Sequence, residues 1–220
     1  IDQMENYNNA IYEAVSKANE GFIVTFGVIP TKPETGYGYI EVKGDNVISF
    51  REKPNETTAK EFIAKGNFLW NSGMFCFKAS VLLEELKKFQ PDVYEKSKIV
   101  WEASEKGFLD LDLSIEIPSI SIDYAVMERS KKIKVVPASF SWSDLGSFES
   151  VYEYLVLKGH PVDSNGNMVI GCDSYTTFLG LRNTIFVHTN NANLILQKEN
   201  SQDVKDIYNK LERENSDLLN

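Results

Sequence analysis

A chain of 220 residues with 42% hydrophobic and 25% charged residues has the composition of an ordinary globular protein and can bury a substantial core. Its net charge of −9 excludes a broad basic face for nucleic acid or membrane surfaces, although one or two placed lysines could hold a small phosphorylated ligand. No apolar run reaches membrane-spanning length and no basic region precedes an apolar core at the start, so we expect a cytoplasmic protein.

Histidine is scarce. The sequence contains only His160 and His188, and neither has a neighbour at metal-ligand spacing. A histidine-based zinc site or a Ser-His-Asp triad within these residues would have to use them, so we set both kinds of site aside. Any metal must then be held by carboxylates, which favours Mg²⁺ and phosphate chemistry.

The most informative stretch covers residues 25–40. A β-rich run stops at a segment with two prolines and resumes after Gly36-Tyr37-Gly38, which predicts a strand, an ordered loop and a second strand. The glycines would allow a ligand to approach the backbone, and Glu34 and Thr35 supply polar contacts. A ligand-binding loop and a rigid hairpin connection are equally open from this stretch alone.

A charged pair follows the hairpin predicted over residues 39–50. Glu52 and Lys53 are adjacent, so on a regular strand they would point to opposite faces and only one could enter a given pocket. Pro54 directly after them indicates that the strand breaks there. The break favours a functional pair over a solvated one.

Polar residues interrupt the apolar strand predicted over residues 68–77. Burying Asn71 and Ser72 without partners would cost roughly 1 to 3 kcal/mol each, so we expect both to be hydrogen bonded to backbone, water or ligand. Gly73 would admit a ligand or another strand. The alternative is a β-bulge whose polar groups are satisfied internally.

Two aspartates stand near predicted element ends. Asp123 lies in the first turn of a helical segment over residues 119–128, where an Asp most often stabilises the helix end. Asp144 follows the strand predicted over residues 134–138 and precedes a helix that starts near Phe148. Its carboxylate would be exposed at the carboxyl end of a strand, where ligands and metals gather in α/β folds.

The character of the chain changes after Gly159. Short strands joined by Gly and Asn turns are predicted, followed by a final helix that holds Val204 and Leu211. The predicted strands cover residues 168–170, 177–181, 184–188 and 194–197. We place a domain boundary near residues 163–166 and expect the small second unit to serve packing or a homodimer contact.

Taken together, several motifs resemble those of mannose-1-phosphate guanylyltransferases, above all the bacterial kind often fused to a type II mannose-6-phosphate isomerase. The motifs are TFGVIPT at 25–31, PETGYGYI at 33–40, FREKP at 50–54, WNSGMF at 70–75, SIDYAVME at 121–128 and WSDLGS at 142–147. Their order over most of the chain makes the resemblance specific. It implies an α/β fold of the nucleotide-diphospho-sugar transferase type, a Rossmann-like mixed sheet, followed by a small β-rich C-terminal unit. Residues 1–160 would be the C-terminal, sugar-phosphate part of the transferase domain, and residues 161–220 the small unit.

The resemblance also implies a reaction and roles for individual residues. GTP and mannose 1-phosphate would give GDP-mannose and pyrophosphate, for polysaccharide precursors. Residues Glu34, Thr35, Gly36, Tyr37 and Gly38 would line the sugar and phosphate cleft. Glu52 and Asn71 would bind mannose hydroxyls, Lys53 would hold the sugar phosphate, and Asp144 would bind Mg²⁺. Asp123 would be either a pocket contact or a helix stabiliser.

The front of the sequence departs from the family. Members begin with a Gly-rich loop that binds the nucleotide triphosphate, whereas these residues open at the helix that follows it. We therefore expect this sequence to hold the acceptor-sugar half of the site and not the guanine-reading half, and to carry no zinc-binding isomerase domain. A related transferase for another sugar phosphate and a non-catalytic regulatory relative are the alternatives, although Lys53 and Asp144 disfavour the second.

Overall fold

The computed structural model describes residues 1–219, which fall into two compact units. The first unit is Ile1–Trp142, and the second begins at Ser143. Among the described residues, no helix is both long and apolar enough to cross a membrane.

The helices of the first unit are α1 (Met4–Asn19), α2 (Glu56–Lys65), α3 (Ala79–Phe89), α4 (Pro91–Glu102), α5 (Leu111–Ile115) and a π-helical turn (Asp123–Met127).

Five strands form the sheet of the first unit, in the order β1-β4-β2-β3-β5. They are β1 (Ile23–Val28), β2 (Tyr39–Lys43), β3 (Asn46–Arg51), β4 (Phe68–Cys76) and β5 (Ile133–Pro137). β1 and β5 are parallel, and the other neighbours are antiparallel. The pair Asn46 and Lys134 joins β3 to β5 and closes the sheet on itself. The predicted mixed α/β sheet is confirmed.

Helix α1 covers one side of this sheet. Ala10, Ala14 and Ala18 recur at helical spacing and are buried in a cluster with β1 residues Val24 and Phe26. Small side chains let the helix backbone lie close to the strands. This packing holds α1 against β1.

The interruption in β4 is a β-bulge. Thr25 pairs with Phe75 and Gly27 pairs with Asn71, so one residue of β1 lies opposite three residues of β4. Gly73 adopts a φ of +72°, which its lack of a Cβ allows. Ser72 Oγ accepts a hydrogen bond from the Met74 amide at 3.2 Å. The structure therefore agrees with the bulge alternative, and the bulge sets the direction of Asn71.

The second unit is β-rich, as predicted. Its elements are α6 (Phe148–Leu157), β6 (Met168–Ile170), β7 (Thr184–His188), β8 (Asn193–Gln197), a 3₁₀ segment (Lys198–Asp203), α7 (Val204–Arg213) and a 3₁₀ turn (Asp217–Leu219). β6 pairs with β7 in parallel, and β7 pairs with β8 antiparallel.

The strand predicted over residues 177–181 is wrong. The segment is irregular: Leu179 is 96% exposed and Gly180 adopts a φ of +75°. Its apolar residues have β propensity, but no strand within residues 1–219 pairs with them.

Candidate active site

The structure brings five residues of the first unit together. Gly38 precedes β2, Glu52 and Lys53 follow β3, Asn71 lies at the bulge of β4, and Asp123 opens the π-helical turn. The pairing of β4 with both β1 and β2 gathers these segments at one place. Gly38 also takes part in this pairing, because its carbonyl accepts a hydrogen bond from the Asn71 amide at 2.7 Å.

Gly38 makes room for Glu52. A Cβ built on Gly38 would lie 2.6 Å from Glu52 Oε2 and 3.4 Å from Asn71 Cβ. Real Cβ atoms do not approach an oxygen that closely, so only glycine lets the carboxylate take this place. The close approach expected at Gly38 is therefore made by a side chain of the protein itself.

The side chains of Glu52 and Lys53 lie close together, and do not point to opposite faces of a strand. β3 ends at Arg51, and Lys53 adopts a φ of 44°, so the alternation of the strand stops before the pair. Lys53 Nζ lies 3.8 Å from Glu52 Oε1, while 63% of the lysine side chain and 13% of the glutamate side chain are exposed. The predicted break is confirmed, and it presents a sheltered carboxylate next to an accessible cation.

Asn71 is 8% exposed and lies at the centre of a hydrogen-bond network. Its Oδ1 accepts from Thr25 Oγ at 2.8 Å and from the Gly73 amide at 3.3 Å. Its Nδ2 donates to Asp123 Oδ1 at 3.3 Å. The amide group thus links the buried strands to the carboxylate of Asp123.

The two carboxylates of the cluster are both harder to ionise than usual. Burial raises the pKa of Glu52, and the charge of Asp123 adds to the increase. Burial also raises the pKa of Asp123. The charge of Glu128 pushes both pKa values further up, whereas Lys53 opposes the shift at both. Sheltered carboxylates with one nearby cation are suitable acceptors for the hydroxyl groups of a small polar ligand.

The loop between β1 and β2 is held by its own residues. Glu34 Oε1 accepts a hydrogen bond from the Gly36 amide at 3.0 Å, and Glu34 Oε2 lies 3.6 Å from Lys32 Nζ. The ring of Tyr37 packs edge-on against Trp70 and Trp142, with centroid separations of 5.2 and 5.5 Å. Thr35 is exposed. The predicted order of this loop is present, and it comes from the hydrogen bond between Glu34 and the Gly36 amide and from the edge-on packing of Tyr37.

Asp144 belongs to the second unit, in the segment before α6, and is exposed. A Cβ built on Gly146 would lie 2.5 Å from Asp144 Oδ2, so a larger residue at position 146 would displace this carboxylate. Within residues 1–219, no group of three or more His, Cys, Asp or Glu side chains is arranged to hold a metal. An exposed carboxylate nevertheless fits Mg²⁺, which is usually bound by one or two carboxylates together with phosphate oxygens and water.

Two further residues of the site were not singled out from the sequence. Thr25 is fully buried in β1, and Glu128 contributes its charge to both carboxylates. Thr25 could have been noticed as a hydroxyl within an apolar run, since a buried hydroxyl needs a partner. Glu128 gives no such signal, because an exposed acid near a helix end is ordinary.

The chain matches the descriptions of two known families. The chain belongs to the nucleotidyl transferase family, whose description, "Nucleotidyl transferase", matches residues 1–157. A second description, "MannoseP isomerase/GMP-like beta-helix domain", matches residues 161–211. The resemblance seen in the motifs is confirmed, and so is the fold class, an α/β part of the transferase type followed by a β-rich C-terminal part.

Individual relatives give finer similarities. The chain is 36% identical to the alginate biosynthesis protein AlgA of Pseudomonas aeruginosa, over 96% of this chain and 48% of that protein. It is 39% identical to mannose-1-phosphate guanylyltransferase 2 of Escherichia coli O157:H7, over 90% of this chain and 47% of that protein. The chain thus spans about half the length of the curated relatives it matches.

A solved structure extends the similarity to three dimensions. It is described as a mannose-1-phosphate geranyltransferase from Thermus thermophilus and superimposes with a TM-score of 0.80 at 27% identity, covering 96% of this chain and 66% of that one. The fold seen in the first unit is therefore one that a structurally characterised relative also adopts.

Proposed function

We propose that the protein takes part in mannose-1-phosphate guanylyltransfer, in which GMP passes from GTP to mannose 1-phosphate to give GDP-mannose and pyrophosphate. The observation that carries the proposal is the meeting of Glu52, Lys53, Asn71 and Asp123 beside Gly38. Such a cluster offers sheltered acceptors for hydroxyl groups and one accessible cation for a phosphate. Relatives named as mannose-1-phosphate guanylyltransferases support the choice of sugar and base.

The roles follow from the chemistry of each group. Glu52 and Asp123 accept hydrogen bonds from sugar hydroxyls, because carboxylates are acceptors when ionised. Lys53, whose side chain is 63% exposed, neutralises the sugar phosphate with its ammonium group. Asn71 Nδ2 carries a second hydrogen besides the one it donates to Asp123, and it presents this hydrogen to the sugar.

The loop residues are proposed to line the sugar and phosphate cleft. Gly36, Tyr37 and Gly38 shape it, with the ring of Tyr37 held by Trp70 and Trp142. Glu34 stabilises the loop through the Gly36 amide, and Thr35 offers an exposed hydroxyl. A preordered loop lowers the entropic cost of holding the ligand.

The reaction requires no covalent bond to the protein. An oxygen of the sugar phosphate attacks the α-phosphorus of GTP in line, the bond from that phosphorus to the bridging oxygen breaks, and pyrophosphate leaves. The protein's task is to bind, orient and neutralise charge. Asp144 would hold Mg²⁺, which when bound neutralises charge on the phosphates.

Assembly and location belong to the same proposal. We place the reaction in the cytoplasm, where GTP is available, and propose a homodimer whose contact uses the β-rich second unit. A mass of one chain by sedimentation at working concentration would rule the dimer out.

The direct test uses the whole protein that the gene encodes, with GTP, mannose 1-phosphate and MgCl₂, and detects GDP-mannose and pyrophosphate in equal amounts. Glucose 1-phosphate in place of mannose 1-phosphate, and UTP in place of GTP, are tested as alternative substrates. We expect the mannose and guanine pair to be preferred by at least about tenfold, and EDTA to stop turnover until Mg²⁺ is restored. Preference for another sugar phosphate would support the related transferase, and no product at all would support a non-catalytic relative.

A further inference from the structure

Thr25 is a buried polar residue with a specific connection to the site. It lies in β1 with no exposed surface, and its Oγ lies 2.8 Å from Asn71 Oδ1 and 3.3 Å from the Met74 carbonyl oxygen. A strand position buried this completely would accept valine on packing grounds. The hydroxyl therefore requires an explanation of its own.

The contacts of Asn71 determine which way its amide faces. The Gly73 amide can only donate, and it points at Asn71 Oδ1 at 3.3 Å. The carboxylate of Asp123 accepts from the other end of the amide, Nδ2, at 3.3 Å. A flipped amide would set NH₂ against the Gly73 N–H and oxygen against the carboxylate, so only one orientation satisfies both neighbours.

The hydroxyl of Thr25 strengthens that orientation. Because Asn71 Oδ1 is an acceptor, Thr25 donates to it, and this contact is shorter than those of the amide with Gly73 and Asp123. We propose that Thr25 is a positioning residue for the sugar end of the site, holding the Asn71 amide so that its Nδ2 is directed at Asp123. This inference rests on the proposed function for its consequence in catalysis, but the hydrogen-bond chain itself can be tested without it.

The hydrogen bond from Asn71 matters for Asp123 because the charges around this carboxylate both repel and attract it. Glu52 and Glu128 repel its charge, and Lys53 attracts it. Hydrogen bonds from its own backbone amide and from Asn71 Nδ2 hold the carboxylate, and both favour its charged form. Of these two donors, the Asn71 amide is the side-chain one, and Thr25 keeps it in place, so the geometry offered to the sugar depends on a residue that does not reach the ligand.

The experiment compares Thr25→Val, which keeps the shape of the side chain and removes the hydroxyl, with Thr25→Ser, which keeps the hydroxyl. In the whole protein, we expect Thr25→Val to raise KM for mannose 1-phosphate about tenfold while KM for GTP stays within about twofold. Thr25→Ser should stay within about threefold of wild type for both substrates. Wild-type kinetics for Thr25→Val, or equal losses in both variants, would overturn the proposal.

A second measurement separates this inference from the proposed reaction. The side-chain amide signals of Asn71, assigned by their loss in Asn71→Asp, should exchange their hydrogens at least about tenfold faster in Thr25→Val than in wild type or Thr25→Ser. If wild type makes no GDP-mannose but the exchange differs as expected, the proposed function fails and the positioning role stands. Unchanged exchange in Thr25→Val would overturn the positioning role even in an active enzyme.

Discussion

The carboxylate of Glu52 occupies the space that a side chain on Gly38 would need, since a Cβ there would lie 2.6 Å from Glu52 Oε2. The two residues lie on neighbouring strand ends, and the backbone of Gly38 is tied to Asn71 by a 2.7 Å hydrogen bond, so Gly38 cannot easily move away. Gly38 therefore determines where Glu52 points.

Replacing this glycine should displace the carboxylate. We expect Gly38→Ala to lower kcat/KM for mannose 1-phosphate by about a hundredfold, because a misplaced group in a site can cost that much. The check is a double-mutant cycle in which Gly38→Ala is added to Glu52→Ala. If Gly38 acts through Glu52, the second change adds little to the first; full additivity would contradict this relationship.

The carboxylate of Asp123 should reduce stability at neutral pH. Burial raises its pKa, so its contribution to the free energy of unfolding is complete below the pKa of the unfolded chain and is lost as pH rises through the higher folded pKa. Asp123→Asn should therefore raise Tm at pH 7, with the difference vanishing below about pH 4, while activity falls at least about tenfold. The exposed Asp112→Asn is the control and should change neither. A lower Tm for Asp123→Asn at pH 7 would contradict the assignment.

The carboxylate of Asp45 should increase stability at neutral pH, in contrast to that of Asp123. Hydrogen bonds from Lys17 and Lys134, at 2.7 and 3.1 Å, lower its pKa to about 2. The stability it adds is present above the unfolded pKa near 4 and is lost as pH falls through about 2. Thermal melts should show a lower Tm for Asp45→Asn at pH 7 and a shrinking difference between about pH 4 and pH 2. A difference that persists below pH 2 would point to a cause other than the ion pairs.

The hydroxyl of Tyr39 is expected to cost stability. The side chain is fully buried against Phe62, and its hydroxyl lies near the Trp70 side chain and the Glu34 backbone without a hydrogen bond of good geometry among the described residues. Tyr39→Phe keeps the ring and removes this poorly paired hydroxyl, so the free energy of unfolding should rise by about 1 kcal/mol in urea titrations. A loss of similar size would show that the hydroxyl is bound, for example by a buried water.

Most of the first unit could be predicted from local pattern. Apolar runs identified the β1 strand and the β2-β3 hairpin, because each needs only neighbouring residues to be recognised. The same logic failed for residues 177–181. There the composition suited a strand, but the presence of a ladder partner depends on the tertiary fold.

In the site, too, local features could be predicted and tertiary contacts could not. The types of residue were visible in the sequence, and the break after Arg51 followed from Pro54. The hydrogen bond from Asn71 to Asp123 was not visible, because it joins segments far apart in the chain. The contact of Gly38 with Glu52 was not visible either, because it depends on the register of the hairpin between them. The bulge at Gly73 was one of two alternatives, and only the pairing of β4 with β1 decides between them.

The most direct test concerns Lys53, whose ammonium group is proposed to hold the sugar phosphate. GDP-mannose formation from GTP, mannose 1-phosphate and Mg²⁺ should be measured for wild type, Lys53→Ala and, as a matched control, Lys43→Ala at the exposed end of β2. We predict that Lys53→Ala lowers kcat/KM for mannose 1-phosphate by about two to three orders of magnitude, while Lys43→Ala matches wild type. Equal activity of all three proteins would contradict the placement of the sugar phosphate at this site.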